Sequence, residues 1–227
     1  MKLGAAVMHV DRTVTHMKPR LRGWLHVTAS AVFSLLGLLT LALTSARPAR
    51  RLAFVAYLVG TLAMFGTSAL YHRGRWSDQQ MSVWRRLDHS TIFLAIAGAY
   101  TAVAFCGLRG TDRVITLVVC WIGAAVGITL QWVPVHIPRA LFTAVYVIVG
   151  WSITPFLSPL ITRFGRGGVA MLIVGGLAYS GGAVVYARKR PDPRPATFGY
   201  HEVFHLMTII GAGLHFTVIA LIALPLR

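Results

Sequence analysis

The chain has 227 residues, of which 56% are hydrophobic and only 12% charged, with a formal net charge of +16. A soluble domain carries about 25% charged residues, so a mean hydropathy of +0.67 on so little charge predicts a membrane protein. The basic residues fall in short clusters between apolar runs, the pattern of loop anchors, and this argues against nucleic acid as a partner.

Removing every Asp, Glu, Lys and Arg leaves seven uncharged blocks of at least 20 residues. In chain order they are Gly23–Ala46, Leu52–His72, His89–Leu108, Val114–Pro138, Ala140–Thr162, Gly167–Ala187 and Val203–Leu226. Each is long enough for a hydrocarbon core that takes about 20 apolar residues, and lipid-facing segments must satisfy their own backbone, so all should be helices. The expectation is an all-α, seven-transmembrane bundle over residues 23–227, preceded by a basic tail at 1–22. Only Pro134, Pro138 and Arg139 part the fourth and fifth blocks. The first block, 24 residues long, lacks an A-x-A cleavage pattern after it, so no cleavable signal peptide is expected. Cys106 and Cys120 form no CxxC pair and read as buried free thiols.

Alternate connections carry unequal positive charge. The N-terminal tail and the connections after blocks two, four and six hold 14 Lys and Arg, against 8 on the other side. The positive-inside rule then puts the N-terminus in the cytoplasm and the C-terminus outside. On this topology His72 ends the second span, Asp88 and His89 open the third, and His201 and His205 open the seventh. All reach the cytoplasmic membrane face.

His201-Glu202-Val203-Phe204-His205 presents two imidazoles about 40° apart on one helical face, the way a helix offers two ligands to one zinc ion. His72 supplies a third donor. Three histidines and a water make the open, catalytic form of a zinc site, in which the water is activated at neutral pH. Asp88 can orient or deprotonate that water, or it can cap the third span or pair with Arg85 or Arg86. Ser68, one turn from His72, can hold the imidazole or the water or steady an attacked carbonyl oxygen, or simply back-bond to its own helix. Together these groups make amide or ester hydrolysis plausible.

The same segment matches HExxH, the zincin protease signature with Glu202 as general base. No Asp or Glu follows Glu202, and His215 lies nearly three turns on along the same helix, so a conventional metalloprotease lacks its third ligand. Bis-histidine haem would need pairs on facing helices, and a transporter would need polar residues through the midplane. His9, His16 and His136 fall in the tail and a loop; His26, near the cytoplasmic end of the first span, reads as an ordinary bundle histidine, with a place beside the site as the alternative, His89 as an interfacial hydrogen-bonding group, and His215 as a satisfied bundle histidine. Gly175, Gly176, Gly181, Gly182, Gly211 and Gly213 read as close-packing positions, and Trp76, Trp84, Trp132 and Trp151 as belt or packing residues.

Ser68-Ala-Leu-Tyr71-His72, Leu87-Asp88-His89-Ser90 leading into Ala97-Gly98-Ala99-Tyr100-Thr101, and His201-Glu202-Val203-Phe204-His205 resemble the hemolysin III family. That family is the bacterial branch of the progestin and adipoQ receptor group, in the superfamily that includes alkaline ceramidases. The resemblance covers roughly residues 20 to 225. It implies seven helices in the bacterial plasma membrane and a cytoplasmic-side Zn2+ held by His72, His201 and His205, with Asp88 and Ser68 beside the water. It implies membrane lipids as partners, and lipid-amide or ester hydrolysis or lipid homeostasis as the activity. The alternative it carries is a non-enzymatic haemolysin or receptor-like protein with structural zinc. One departure stands at Arg20–Leu25, where many bacterial members carry acidic and Asn residues before the histidine equivalent to His26.

Overall fold

A computed structural model describes residues 19–133 and 139–225. The tail to residue 18, including His9 and His16, and the Pro134–Pro138 loop with His136 lie outside the described residues. Among the described residues there are seven α-helices: α1 (Trp24–Leu43), α2 (Pro48–Arg73), α3 (Asp78–Gly107), α4 (Gly110–Trp132), α5 (Arg139–Trp151), α6 (Leu157–Arg188) and α7 (Tyr200–Thr217). A 3-10 turn joins α5 to α6, and a short π-helix, Val218–Ala223, extends α7. Among the described residues there is no strand, only an isolated bridge between Arg194 and Phe198.

Among the described residues six helical stretches are long and apolar enough to cross a membrane, and the fifth is the 48-residue stretch Leu141–Arg188. Inside it Gly165 leaves the helical region, at φ 73° and ψ 167°, a left-handed φ that glycine adopts without a Cβ penalty. Before Gly165 the chain advances along α3. Tyr146 donates to the His89 carbonyl (3.2 Å), the Tyr100 hydroxyl to the Val149 carbonyl (3.0 Å), and Arg163 to the Cys106 carbonyl (3.1 Å). After it the contacts retreat along α7, with Gly168 beside Ile222, Gly175 beside His215 and Gly182 beside Phe204.

Charge counting misplaces the start of the third helix. α3 begins eleven residues before His89, at Asp78, where Ser77 and Gln80 form a capping box. Its first turns carry Asp78, Arg85 and Arg86, so deleting charged residues removes the amphipathic approach to the apolar run. The fifth block is likewise interrupted, because the chain leaves α5 at Trp151 and turns through Thr154–Phe156 before the helix resumes.

Two glycines bring α2 and α3 together. A Cβ on Gly60 would sit 2.5 Å from the Leu94 carbonyl oxygen, and one on Gly98 would sit 2.6 Å from that of Ala56. Only backbone fits between the helices at both levels, and the small-residue contact fixes α2 against α3. Of the glycines singled out from sequence, Gly175, Gly181 and Gly211 have comparably tight surroundings, against His215, Met207 and Tyr179, and Gly182 is close to Met207 and Phe204. A Cβ on Gly176 would lie nearly as close to Trp151, at 3.3 Å, and Gly213 faces open space. Cys106 and Cys120 are free and buried, as expected.

Candidate metal centre

α2 ends, and α7 begins, at the same end of the bundle. His72 is the last residue but one of α2, and His201 and His205 occupy the first two turns of α7. The Nε2 atoms of His72 and His201 are 3.1 Å apart. One ligand nitrogen from each of His72, His201 and His205 can be chosen so that all lie within 4.8 Å of one another. Two ligands about 2.05 Å from one tetrahedral centre stand about 3.3 Å apart, so the first pair already has ligand spacing and the third needs only a small closure. Three nitrogen donors from two helices fit a metal ion by geometry and by donor type.

Asp88 and Ser68 line the same cavity as the three histidines. Ser68 on α2 and Asp88 on α3 meet across that cavity, close enough for the serine side chain to act on the carboxylate. Asp88 is ten residues inside α3, which removes the capping role, and among the described residues its carboxylate has no ion pair with Arg85 or Arg86. The His89 ring nitrogen Nδ1 lies 3.8 Å from that carboxylate. His89 Nδ1–H donates to the Arg85 carbonyl (2.8 Å), the interfacial hydrogen bond expected of it.

Glu202 does not face the histidines as a zincin base would. It is fully buried, accepts from the Gly199 backbone N–H (2.9 Å) at the start of α7, and forms an ion pair with Arg22. The segment before α1 is held beside it, with the Arg20 N–H donating to the Ala196 carbonyl (3.1 Å) and Leu21 to Thr197 (3.2 Å). Gly23, at φ 82°, then passes His72 so closely that a Cβ would fall 2.9 Å from the His72 Cβ. The strap 20–23 thus touches both ligand-bearing helices. Sequence reading missed Arg22 because its partner lies 180 residues away. The one local signal was a glutamate three residues after Gly199, a helix-start position.

His26 belongs to the cluster more closely than its sequence position indicated. Its ring stacks on His205, with centroids 3.8 Å apart and planes 9° apart. Both His26 ring nitrogens and His205 Nδ1 are buried without a hydrogen-bond partner. His215 is a satisfied bundle histidine, with Nε2 3.1 Å from the Leu172 carbonyl oxygen. Trp151 both packs, donating to Ser180 (2.9 Å), and lines the cavity. Trp76 and Trp84 pack on each other at 4.6 Å, and Trp132 donates to Ser90 (3.2 Å).

The cavity encloses about 450 Å³ and runs from Arg85 and Tyr200 past the histidines to Tyr179 and His215. Beyond the histidines it is lined by Ile92, Ile96 and Val147, an apolar stretch continuous with the cluster of polar groups.

The family model described as Haemolysin-III related matches residues 14–216. "Hemolysin-3" of Bacillus cereus is 30% identical over 173 residues, covering 76% of each chain. The "Hemolysin-3 homolog" of Bacillus subtilis is 28% identical over 72% of this chain and 74% of that relative. More distant is the "Heptahelical transmembrane protein ADIPOR2" of rice, 26% identical over 73% of this chain and 79% of its own. With a family model spanning nearly the whole bundle and relatives matched over three quarters of their length, this membrane chain belongs to the haemolysin-III related family.

Proposed function

We propose that the protein is a zinc-dependent membrane hydrolase acting on the amide or ester bond of a membrane lipid. The observation that carries this is the join between two kinds of lining in one cavity: a three-histidine cluster with Asp88 beside it, and an apolar channel beyond. His72, His201 and His205 would hold the zinc ion, and three protein donors leave a position open. Bound zinc would supply Lewis acidity and favour deprotonation of water at neutral pH. The Asp88 carboxylate would take the proton of the water that attacks the carbonyl carbon and return it to the amine or alcohol as the C–N or C–O bond breaks, and Ser68 would hold that carboxylate in place. The apolar lining receives the acyl chain, excludes water and brings the linking bond to the level of Asp88.

The proposed setting is seven spans in the bacterial plasma membrane, with the basic tail at 1–22 cytoplasmic and residues 23–227 forming the membrane domain. The reversal of contacts at Gly165 supports counting the Leu141–Arg188 stretch as two crossings, and the rice relative's name describes that protein as heptahelical. The excess of Lys and Arg at the histidine end supports a cytoplasmic site.

Lipidomic comparison of cells expressing wild type and Asp88→Ala, with metal analysis of both purified proteins, tests the reading. The expected result is stoichiometric zinc in both proteins and an altered lipid class only with wild type. Identical lipid profiles with zinc retained would overturn the hydrolase.

A further inference from the structure

The cavity changes character along its length, and one face of α3 sets out the order. Met81, Arg85, Asp88, Ile92, Ile96 and Ala99 all line it at spacings of three or four residues. At about 1.5 Å rise per residue, Arg85 stands about 4.5 Å to the outer side of Asp88, and Ala99 about 16 Å to the inner side. The wall therefore reads cation, then carboxylate at the histidine level, then apolar channel. α7 follows the same order from Tyr200 at the lip, through His201 and His205, to His215 about 15 Å beyond His205.

The fixed charges of this wall are unbalanced. Arg22 and Arg85 are its cations and Asp88 its one carboxylate among the described residues. Arg22 is occupied by Glu202. Neighbouring arginines have ordinary anchoring contacts: Arg73 lies 4.5 Å over the Trp24 ring, and Arg86 lies 5.8 Å over Trp132 and donates to its carbonyl. The Arg85 side chain is exposed at the lip and has no acidic partner among the described residues. A positive-inside anchor would need only to sit near the membrane surface. Arg85 also forms part of the cavity wall, next to the reactive groups.

We propose that the mouth of the cavity is a headgroup site that selects lipids with a phosphate-bearing anionic headgroup, with Arg85 as the recognition group. The guanidinium offers paired N–H donors that match phosphate oxygens bidentately. A neutral headgroup leaves that charge unmet, and a choline headgroup brings a second cation to it. The spacing matches an amphiphile laid along α3, with headgroup at Arg85, linking ester or amide at Asp88 and acyl chain against Ile92 and Ile96. The selection rests on the lipid-hydrolase reading for its ligand class, but it is a statement about binding.

The test is binding by full-length Asp88→Ala protein, which separates affinity from turnover, in neutral detergent. The probes are lysophosphatidylglycerol, lysophosphatidylcholine and monoacylglycerol of one chain length, with inorganic phosphate as competitor. The expected result is about tenfold or greater preference for lysophosphatidylglycerol, weakened by salt. The added substitution Arg85→Gln should abolish that preference and Arg85→Lys should keep part of it. Equal affinities, a preference untouched by Arg85→Gln, or displacement by phosphate at the lipid's own concentration would each overturn the proposal. Wild-type turnover of phosphatidylglycerol and phosphatidylcholine distinguishes the two readings. Hydrolysis without headgroup preference sinks the selection alone, and preference without hydrolysis sinks the hydrolase alone.

Discussion

The two ends of the bundle bury opposite kinds of group. At the histidine end His26, Ser68, Glu202 and His205 are all buried, and their links join parts of the chain far apart in sequence. At the other end Phe54, Leu108, Leu160 and Ile219 are fully buried, and polar bonding serves to close the chain: Thr44 donates its hydroxyl and Ser45 its N–H to the Pro225 carbonyl, each at 3.0 Å. Burying polar groups costs free energy unless each is paired. Three of the five partnerless buried side-chain polar atoms among the described residues are ring nitrogens of His26 and His205. The cost is concentrated where a ligand would repay it, while the far end supplies packing.

Substitutions at the two ends should therefore fail in different ways. The largest effect is expected from removing a ligand. His201→Ala or His205→Ala should take zinc from one per chain to none, measured by elemental analysis after dialysis, while the protein still elutes as a folded species. Asp88→Ala should retain zinc and lose on the order of a hundredfold or more in turnover, the usual weight of a general base. Phe54→Ala at the far end should cost about 3 kcal/mol of stability in a denaturation series and leave zinc content unchanged. Loss of zinc in that variant would break the division between the ends.

Two smaller effects sharpen the comparison. Glu202→Gln removes the charge that holds Arg22, and should weaken zinc binding by about 10- to 100-fold in a chelator competition, the range for groups that orient ligands. If Glu202 were instead a zincin base, the same change would leave affinity intact and abolish turnover. Gly98→Ala pushes a methyl toward the Ala56 carbonyl and should destabilise the α2–α3 contact by about 1–3 kcal/mol. The shift should carry along the helix pair to Ser68 and Asp88, so that turnover falls before zinc is lost.

Much of the site was legible because it follows helical spacing at the ends of apolar blocks. Ser68 and His72 are one turn apart, as are His201 and His205, and each pair lies where an uncharged run meets its flanking charges. What resisted reading depends on distant or backbone partners. Nothing near Glu202 announces Arg22, and nothing near His26 announces the stack on His205. Gly60 and Gly98 look like ordinary apolar-helix glycines until two backbones meet there. The start of α3 was recoverable in principle, since Ser77 followed three residues later by Gln80 is a capping box. Counting charge-free residues hides it, because the first turns of that helix carry the charges.

The central claim is that His72, His201 and His205 together form a zinc site. Zinc titration of metal-stripped wild type, with each single His→Ala variant in parallel, tests it most directly. One tight site per chain, lost in all three variants but retained in His215→Ala, is the predicted result. Undiminished binding in any of the three, or no stoichiometric site in wild type, would contradict it.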